Sequence, residues 1–375
     1  LSSGSGSGSG SGSSSSSSFA YANNKLALGL GHTCAILDTG DMKCWGGNGA
    51  GQLGDGSTTS TWGVVPTTPI DLGTGRTAVA ISAGYSHTCA ILDTGEAKCW
   101  GSNNYGQLGD GSTVSTNTPS STAINLGTGR TAVAISAGDF HTCAILDNGE
   151  AKCWGRDNQG QLGDGGSNTD TNAPSSTAID LGMGRTAVAI SAGTEHTCAI
   201  LDTGDLKCWG ADNNGQLGDG GSNTATGQPS STAINLGTNR TAVAVSTGTY
   251  HTCAILDNGD LKCWGRNYFQ QTGYSSSNIL EPRTDAVDLG SGRTVVAVSA
   301  GSAHTCAILD NGSAKCWGQS TYGQLGYPNG CNNGCYGFMV GPIDLGTGRT
   351  PVAVDTSAGS SDAKSCVILD NGEAK

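Results

Sequence analysis

His141-Thr142-Cys143-Ala144-Ile145-Leu146-Asp147-Asn148-Gly149-Glu150-Ala151-Lys152-Cys153-Trp154-Gly155 decides the fold, because the chain repeats it. Related stretches place their first cysteine at Cys34, Cys89, Cys198, Cys253, Cys306 and Cys366. With Cys143 counted, the steps are 55, 54, 55, 55, 53 and 60 residues. A fixed period of this size marks stacked or circular repeats, each a unit that needs its neighbours to bury a core. It also means that most residues with catalytic side chains are present for architecture.

Within one repeat, four short runs are β-branched or aromatic and bounded by Gly, Asn or Asp. They are Thr131–Ser136, Thr142–Leu146, Ala151–Trp154 and Thr177–Leu181. Four antiparallel strands repeated radially make a propeller blade. The turn Asp147-Asn148-Gly149 predicts a three-residue loop with Gly in the left-handed position, a type I turn plus bulge. That register pairs Leu146 with Glu150 and sets Cys143 opposite Cys153, within reach of a disulfide. The same Cys-x9-Cys spacing predicts Cys34–Cys44, Cys89–Cys99, Cys198–Cys208, Cys253–Cys263 and Cys306–Cys316. Cys331 and Cys335, in an insertion, are expected to form a local pair. Cys366 is unpaired, and its partner would fall one position past Lys375, so a longer polypeptide is expected. Disulfides in this number imply an oxidising compartment, secreted or at the cell surface.

Composition agrees with a turn-dense all-β chain: 62 Gly, 9 Pro and only 4 Phe in 375 residues. A net charge of −12 opposes nucleic acid and anionic membrane as partners. No apolar run approaches the ~20 residues of a membrane span. Residues 1–24 open with a Ser/Gly tract, read as a linker or inter-subunit segment. Its Ser13, Ser14, Ser15, Ser16, Ser17 and Ser18 are O-glycosylation candidates. Residues 25–375 form the repeat domain.

The sequence resembles the regulator of chromosome condensation repeat family, above all its cysteine-bearing secreted variants. Ser82-Ala83-Gly84, His87-Thr88, Trp100-Gly101 and Asn104-x-Gly106-Gln107-Leu108-Gly109 carry the likeness, which covers residues 25–375. It implies a seven-bladed β-propeller of four-stranded blades. It implies no single function. Members include a chromatin-bound exchange factor, a plant ultraviolet photoreceptor and a secreted β-lactamase inhibitor. The exchange factor uses a basic arm and an inserted wedge. The photoreceptor uses tryptophans just before His-Thr, where this chain has Ser86, Phe140, Glu195, Tyr250 and Ala303.

The six histidines, His32, His87, His141, His196, His251 and His304, share one repeat position and read as hydrogen-bonding residues between blades. Asp55, Asp110, Asp164 and Asp219 read as turn formers, since calcium needs six or more oxygens around one ion. The lysine before Cys-Trp and the arginine before each first strand read as salt-bridging and packing between blades. No metal, cofactor or catalytic constellation is expected, so the chain reads as no enzyme. Function is expected where symmetry breaks. Candidate partner contacts are Phe19, Tyr21, Trp62, Tyr268, Phe269, Tyr336 and Phe338. Asn239 and Asn311 begin N-glycosylation sequons. The leading expectation is a glycosylated extracellular structural protein that associates in series as a filament, appendage or matrix. The alternative is a secreted recognition module for a protein or glycan, and an exchange-factor-like regulator comes third.

Overall fold

A computed structural model describes residues 25–375, apart from 167, 222–223, 276, 322, 327–341 and 358–362. Within those residues there is no helix. There are seven antiparallel sheets, six of three strands and one of two. The sheet of the opening stretch comprises Ala132–Ala137, His141–Leu146 and Ala151–Gly155. The last comprises Pro351–Thr356 and Ser365–Leu369.

The hairpin forms as its turn dictates. Gly149 has φ +79°, a conformation costly for any residue with a Cβ. Leu146 N–H donates to the Glu150 carbonyl at 2.8 Å, and Gly149 N–H to the Leu146 carbonyl at 2.8 Å. Cys143 then faces Cys153 in register. All six expected Cys-x9-Cys disulfides are formed, with Cα atoms 4.0 to 4.1 Å apart.

The expected outer strand is corrected. Thr177–Leu181 is not a strand; it is tied to its sheet by one backbone bond, Ile179 N–H to the Ala151 carbonyl at 2.9 Å. An isolated bridge between Gly155 and Thr171 adds to this. One edge contact with no facing strand cannot hold an extended ladder.

The middle strands are buried on both faces, which explains their unbroken apolar reading. In the first five sheets, the face bearing the disulfide packs on the next sheet's Ala, Leu and Trp. Cys89, Ile91 and Cys99 meet Ile135, Leu146 and Trp154 in one such layer. The first strands of all seven sheets line one central cavity of about 270 Å³. The first sheet packs against the last, where Leu28 N–H donates to Asp355 Oδ2 at 2.7 Å.

The candidate residues Ser13 to Ser18, Phe19, Tyr21, Cys331, Cys335, Tyr336 and Phe338 lie outside the described residues.

Candidate functional site

Beneath any functional surface lies one repeated hydrogen-bond device. His141 Nε2 lies 2.9 Å from Thr197 Oγ1 of the following sheet. That Thr hydroxyl donates to the Gln161 carbonyl at 2.8 Å, and Trp209 Nε1–H donates to the same carbonyl at 3.0 Å. The Thr proton is thus committed, so histidine donates from Nε2 and its Nδ1 carries the lone pair. The arrangement recurs at His32, His87, His196 and His251, and at His304 with Ser365 in place of threonine. Burial holds these imidazoles neutral, with pKa values near 3, or near 4 for His304. The expectation that they join neighbouring repeats holds. The Ser-Ala-Gly ending has the same origin. A Cβ on Gly138 would overlap both the His141 ring and the Gly193 carbonyl.

Lysine and arginine need correction. Lys98, Lys152, Lys207, Lys262, Lys315 and Lys375 do pack between neighbouring repeats. They donate, however, to leucine carbonyls at 2.7 to 3.0 Å rather than to carboxylates. The arginines do form ion pairs, but inside one sheet: Arg130 with Asp147 at 3.4 Å, Arg185 with Asp202 at 3.2 Å. Being half exposed, each contributes under ~1 kcal/mol. Cys366 is partly buried, and burial pushes its thiol up to about 11.

Asymmetry concentrates on one face, built from the loops between first and second strands and from the residue after each Trp-Gly. Tyr85 and Phe140 stack with centroids 5.3 Å apart, and Tyr105 meets Phe140 edge-on at 5.3 Å. The Arg156 guanidinium lies 5.2 Å from the Tyr105 centroid and 5.5 Å from that of Phe140. Glu195 pairs with Arg156 at 3.5 Å. Asp139, beside Phe140, is buried, which raises its carboxyl to about 6. Two repeats on from Phe140 and Arg156, Arg266 covers Tyr250 at 5.2 Å, and Tyr268 meets Phe269 at 4.9 Å. Trp62 is 64% exposed, beside Gly31 and Gly47, with Lys364 Nζ 5.8 Å from its ring. Trp62 therefore covers the junction of the first and last sheets.

Of the sequence candidates within the described residues, Trp62, Tyr268 and Phe269 lie on this face. The denser cluster of Tyr85, Tyr105, Phe140, Arg156 and Glu195 was not picked as a contact site. Its signal is the pair of positions between Gly and His-Thr, Tyr85-Ser86, Asp139-Phe140 and Thr194-Glu195, which vary while the Gly and His-Thr around them recur.

The RCC1-like domain family matches residues 12–362. The ultraviolet-B receptor UVR8 of Arabidopsis thaliana is 30% identical over 308 residues, 81% of this chain and 67% of that protein. Prp20p of Saccharomyces cerevisiae superimposes with a TM-score of 0.73 at 22% identity, over 89% of this chain and 80% of that one. The ectodomain of the Arabidopsis thaliana receptor kinase ACR4 does so with a TM-score of 0.52 at 18% identity, over 93% and 92%. These matches and the radial sheets beneath them lead to one assignment: the chain is a β-propeller that belongs to the RCC1-like domain family.

Proposed function

We propose that this chain is a non-catalytic recognition module outside the reducing cytosol, its seven sheets serving as the blades of one closed ring. It binds a protein or glycan through the face that carries Tyr85, Tyr105, Phe140 and Arg156. One observation carries the reading: the framework repeats, while Tyr85, Tyr105, Phe140 and Arg156 form the densest aromatic–arginine group among the described residues, with Tyr250, Arg266, Tyr268 and Phe269 a smaller one on the same face. Aromatic and arginine side chains supply most of the binding energy at protein interfaces. Six disulfides support the oxidising location. Asn239 and Asn311 are exposed, as proposed glycan carriers must be. The filament role expected from sequence would need residues 1–24 to dock on another copy, and no described residue favours it over binding a different molecule. Binding is also a property of a structural relative: Prp20p of Saccharomyces cerevisiae binds Gsp1p and histones.

The test compares wild type with a Phe140→Ala, Arg156→Glu double variant, both immobilised. Each is exposed to the native extracellular fraction and to a glycan array. Wild type is expected to retain a saturable ligand, and the variant to lose about 100-fold in affinity while its thermal unfolding shifts little. Equal retention by both proteins would rule this face out.

A further inference from the structure

Repeats three and five build the same pair on the aromatic face. In each, the arginine after Trp-Gly lies against the aromatic residue before His-Thr. Arg156 covers Phe140 at 5.5 Å, and Arg266 covers Tyr250 at 5.2 Å. The backbone fixes both pairs. Arg156 N–H donates to the Phe140 carbonyl at 2.9 Å, and Arg266 N–H to the Tyr250 carbonyl at 2.8 Å. A ring against the flat side of a guanidinium leaves its edge N–H groups to find an acceptor, and a carboxylate matches that edge best.

The two repeats differ in what supplies the carboxylate. Arg156 reaches into the following sheet, where Glu195 precedes His196 and its Oε1 lies 3.5 Å from Nη1. For Arg266 the equivalent position is Ala303, which precedes His304. The backbone there is otherwise the same. The Glu195 carbonyl accepts the Ala211 N–H at 2.8 Å, and the Ala303 carbonyl accepts the Gln319 N–H at 2.9 Å. A methyl group therefore stands where the sister site carries its carboxylate. Among the described residues no carboxylate pairs with Arg266. The surroundings are also less filled. Tyr105, which flanks Arg156, has Asn214 as its counterpart in the repeat before Arg266. Arg266 is half-buried, so a charge meeting it is screened less than on open surface. Two residues on, Tyr268 is 72% exposed and extends the aromatic surface outward.

We propose that Arg266 and Tyr250 form a subsite for a carboxylate of an acidic partner polypeptide, a glutamate or aspartate side chain presented on an extended segment. This deepens the reading of the face as a recognition surface and rests on it. The molecule holds its own template for the occupant. In the sister site the carboxylate belongs to a glutamate on a short loop, brought beside an arginine that lies on an aromatic ring. A polypeptide brings that same group with the same reach. The net charge of −12 opposes an acidic partner at long range. At physiological salt that repulsion is screened beyond about 8 Å, whereas the contact pair is not.

The experiment uses the full chain with its arginine side chains labelled with ¹⁵N, at pH 7. The Arg156 and Arg266 Nε–H resonances are followed during titration with a glutamyl peptide, N-acetyl-Gly-Glu-Gly-amide. Its glutaminyl counterpart and digalacturonate are titrated in parallel. The Arg266 signal is expected to move and saturate with the glutamyl peptide while that of Arg156 stays still. The glutaminyl peptide is expected to bind about tenfold more weakly, as loss of a charged hydrogen-bond partner implies. An Ala303→Glu variant is expected to rebuild the Arg156–Glu195 pair and fill the subsite from within. Its Arg266 signal should be shifted before any peptide is added and should not respond to it. Arg266→Gln should keep the wild-type Tm and abolish the Tyr250 fluorescence change that the peptide causes in wild type. The inference fails if the Arg266 signal does not move, if both arginines respond alike, or if Ala303→Glu binds the peptide as wild type does. Saturation by digalacturonate at a lower concentration than by the glutamyl peptide would overturn the polypeptide assignment in favour of an acidic glycan. Equal ligand retention by the Phe140→Ala, Arg156→Glu variant would count against the first sector alone, because the two arginine signals are read separately.

Discussion

Reducing the six disulfides under otherwise native conditions is expected to unfold the chain. Each bridge joins cysteines ten positions apart. Closing a loop of that size contributes about 2 to 3 kcal/mol through the entropy of the unfolded chain. Six such loops sum to roughly 15 kcal/mol, as large as the whole stability of an ordinary domain. The framework has little in reserve, since its layers are filled largely by alanine, isoleucine and leucine around one tryptophan each. Fluorescence of the buried Trp100, Trp154, Trp209, Trp264 and Trp317 reports the outcome. With dithiothreitol the emission is expected to shift to that of solvent-exposed indole, without a denaturant. Replacing Cys198 and Cys208 together by serine should cost about 3 kcal/mol, read as a lower urea midpoint. A fully reduced chain that keeps its native spectrum would show that the bridges are incidental.

Acid is expected to unfold the protein in two stages. The six buried imidazoles have folded pKa values of about 3, or about 4 for His304, against 6.5 when exposed. Below pH 6.5 they take up protons only on unfolding, so their contribution to stability is lost as pH falls. Desolvation raises four carboxyls, the buried Asp139, Asp157 and Asp212 and the partly buried Asp355, to about 6 from 3.8. Between pH 6 and 3.8 they hold protons only when folded, and stability rises through them as pH falls. Six against four leaves about two protons taken up on unfolding, a loss of about 3 kcal/mol per pH unit. Below pH 3.8 the carboxyls are protonated in both states and the histidines act unopposed, steepening the loss to about 7 kcal/mol per unit. Near-ultraviolet circular dichroism should therefore decline gently from pH 6 and collapse between pH 4 and 3. A native signal at pH 3 would contradict the neutral-histidine assignment.

What the sequence disclosed was local. The Asp-Asn-Gly turn and the cysteine register follow from residues within fifteen positions of one another, and the period from the recurrence of that block every 53 to 60 residues. The outer run failed because Thr177–Leu181 has strand propensity but only one backbone bond to an edge. The lysine role failed because its acceptor, such as the Leu126 carbonyl for Lys152, is a main-chain atom that no side-chain pattern reveals. Histidine was read correctly as joining repeats, although its Thr–Gln partners needed the structure. The aromatic face stayed hidden because Tyr85, Tyr105, Phe140 and Arg156 come from loops of two repeats that only the ring brings together.

The central claim is that this propeller is covalently braced and acts outside the reducing cytosol. Peptide mapping tests it most directly, on protein recovered from its native source with thiols blocked before lysis. The account predicts Cys34–Cys44, Cys89–Cys99, Cys143–Cys153, Cys198–Cys208, Cys253–Cys263 and Cys306–Cys316 as linked peptides. Recovery of those twelve cysteines as blocked free thiols would contradict it.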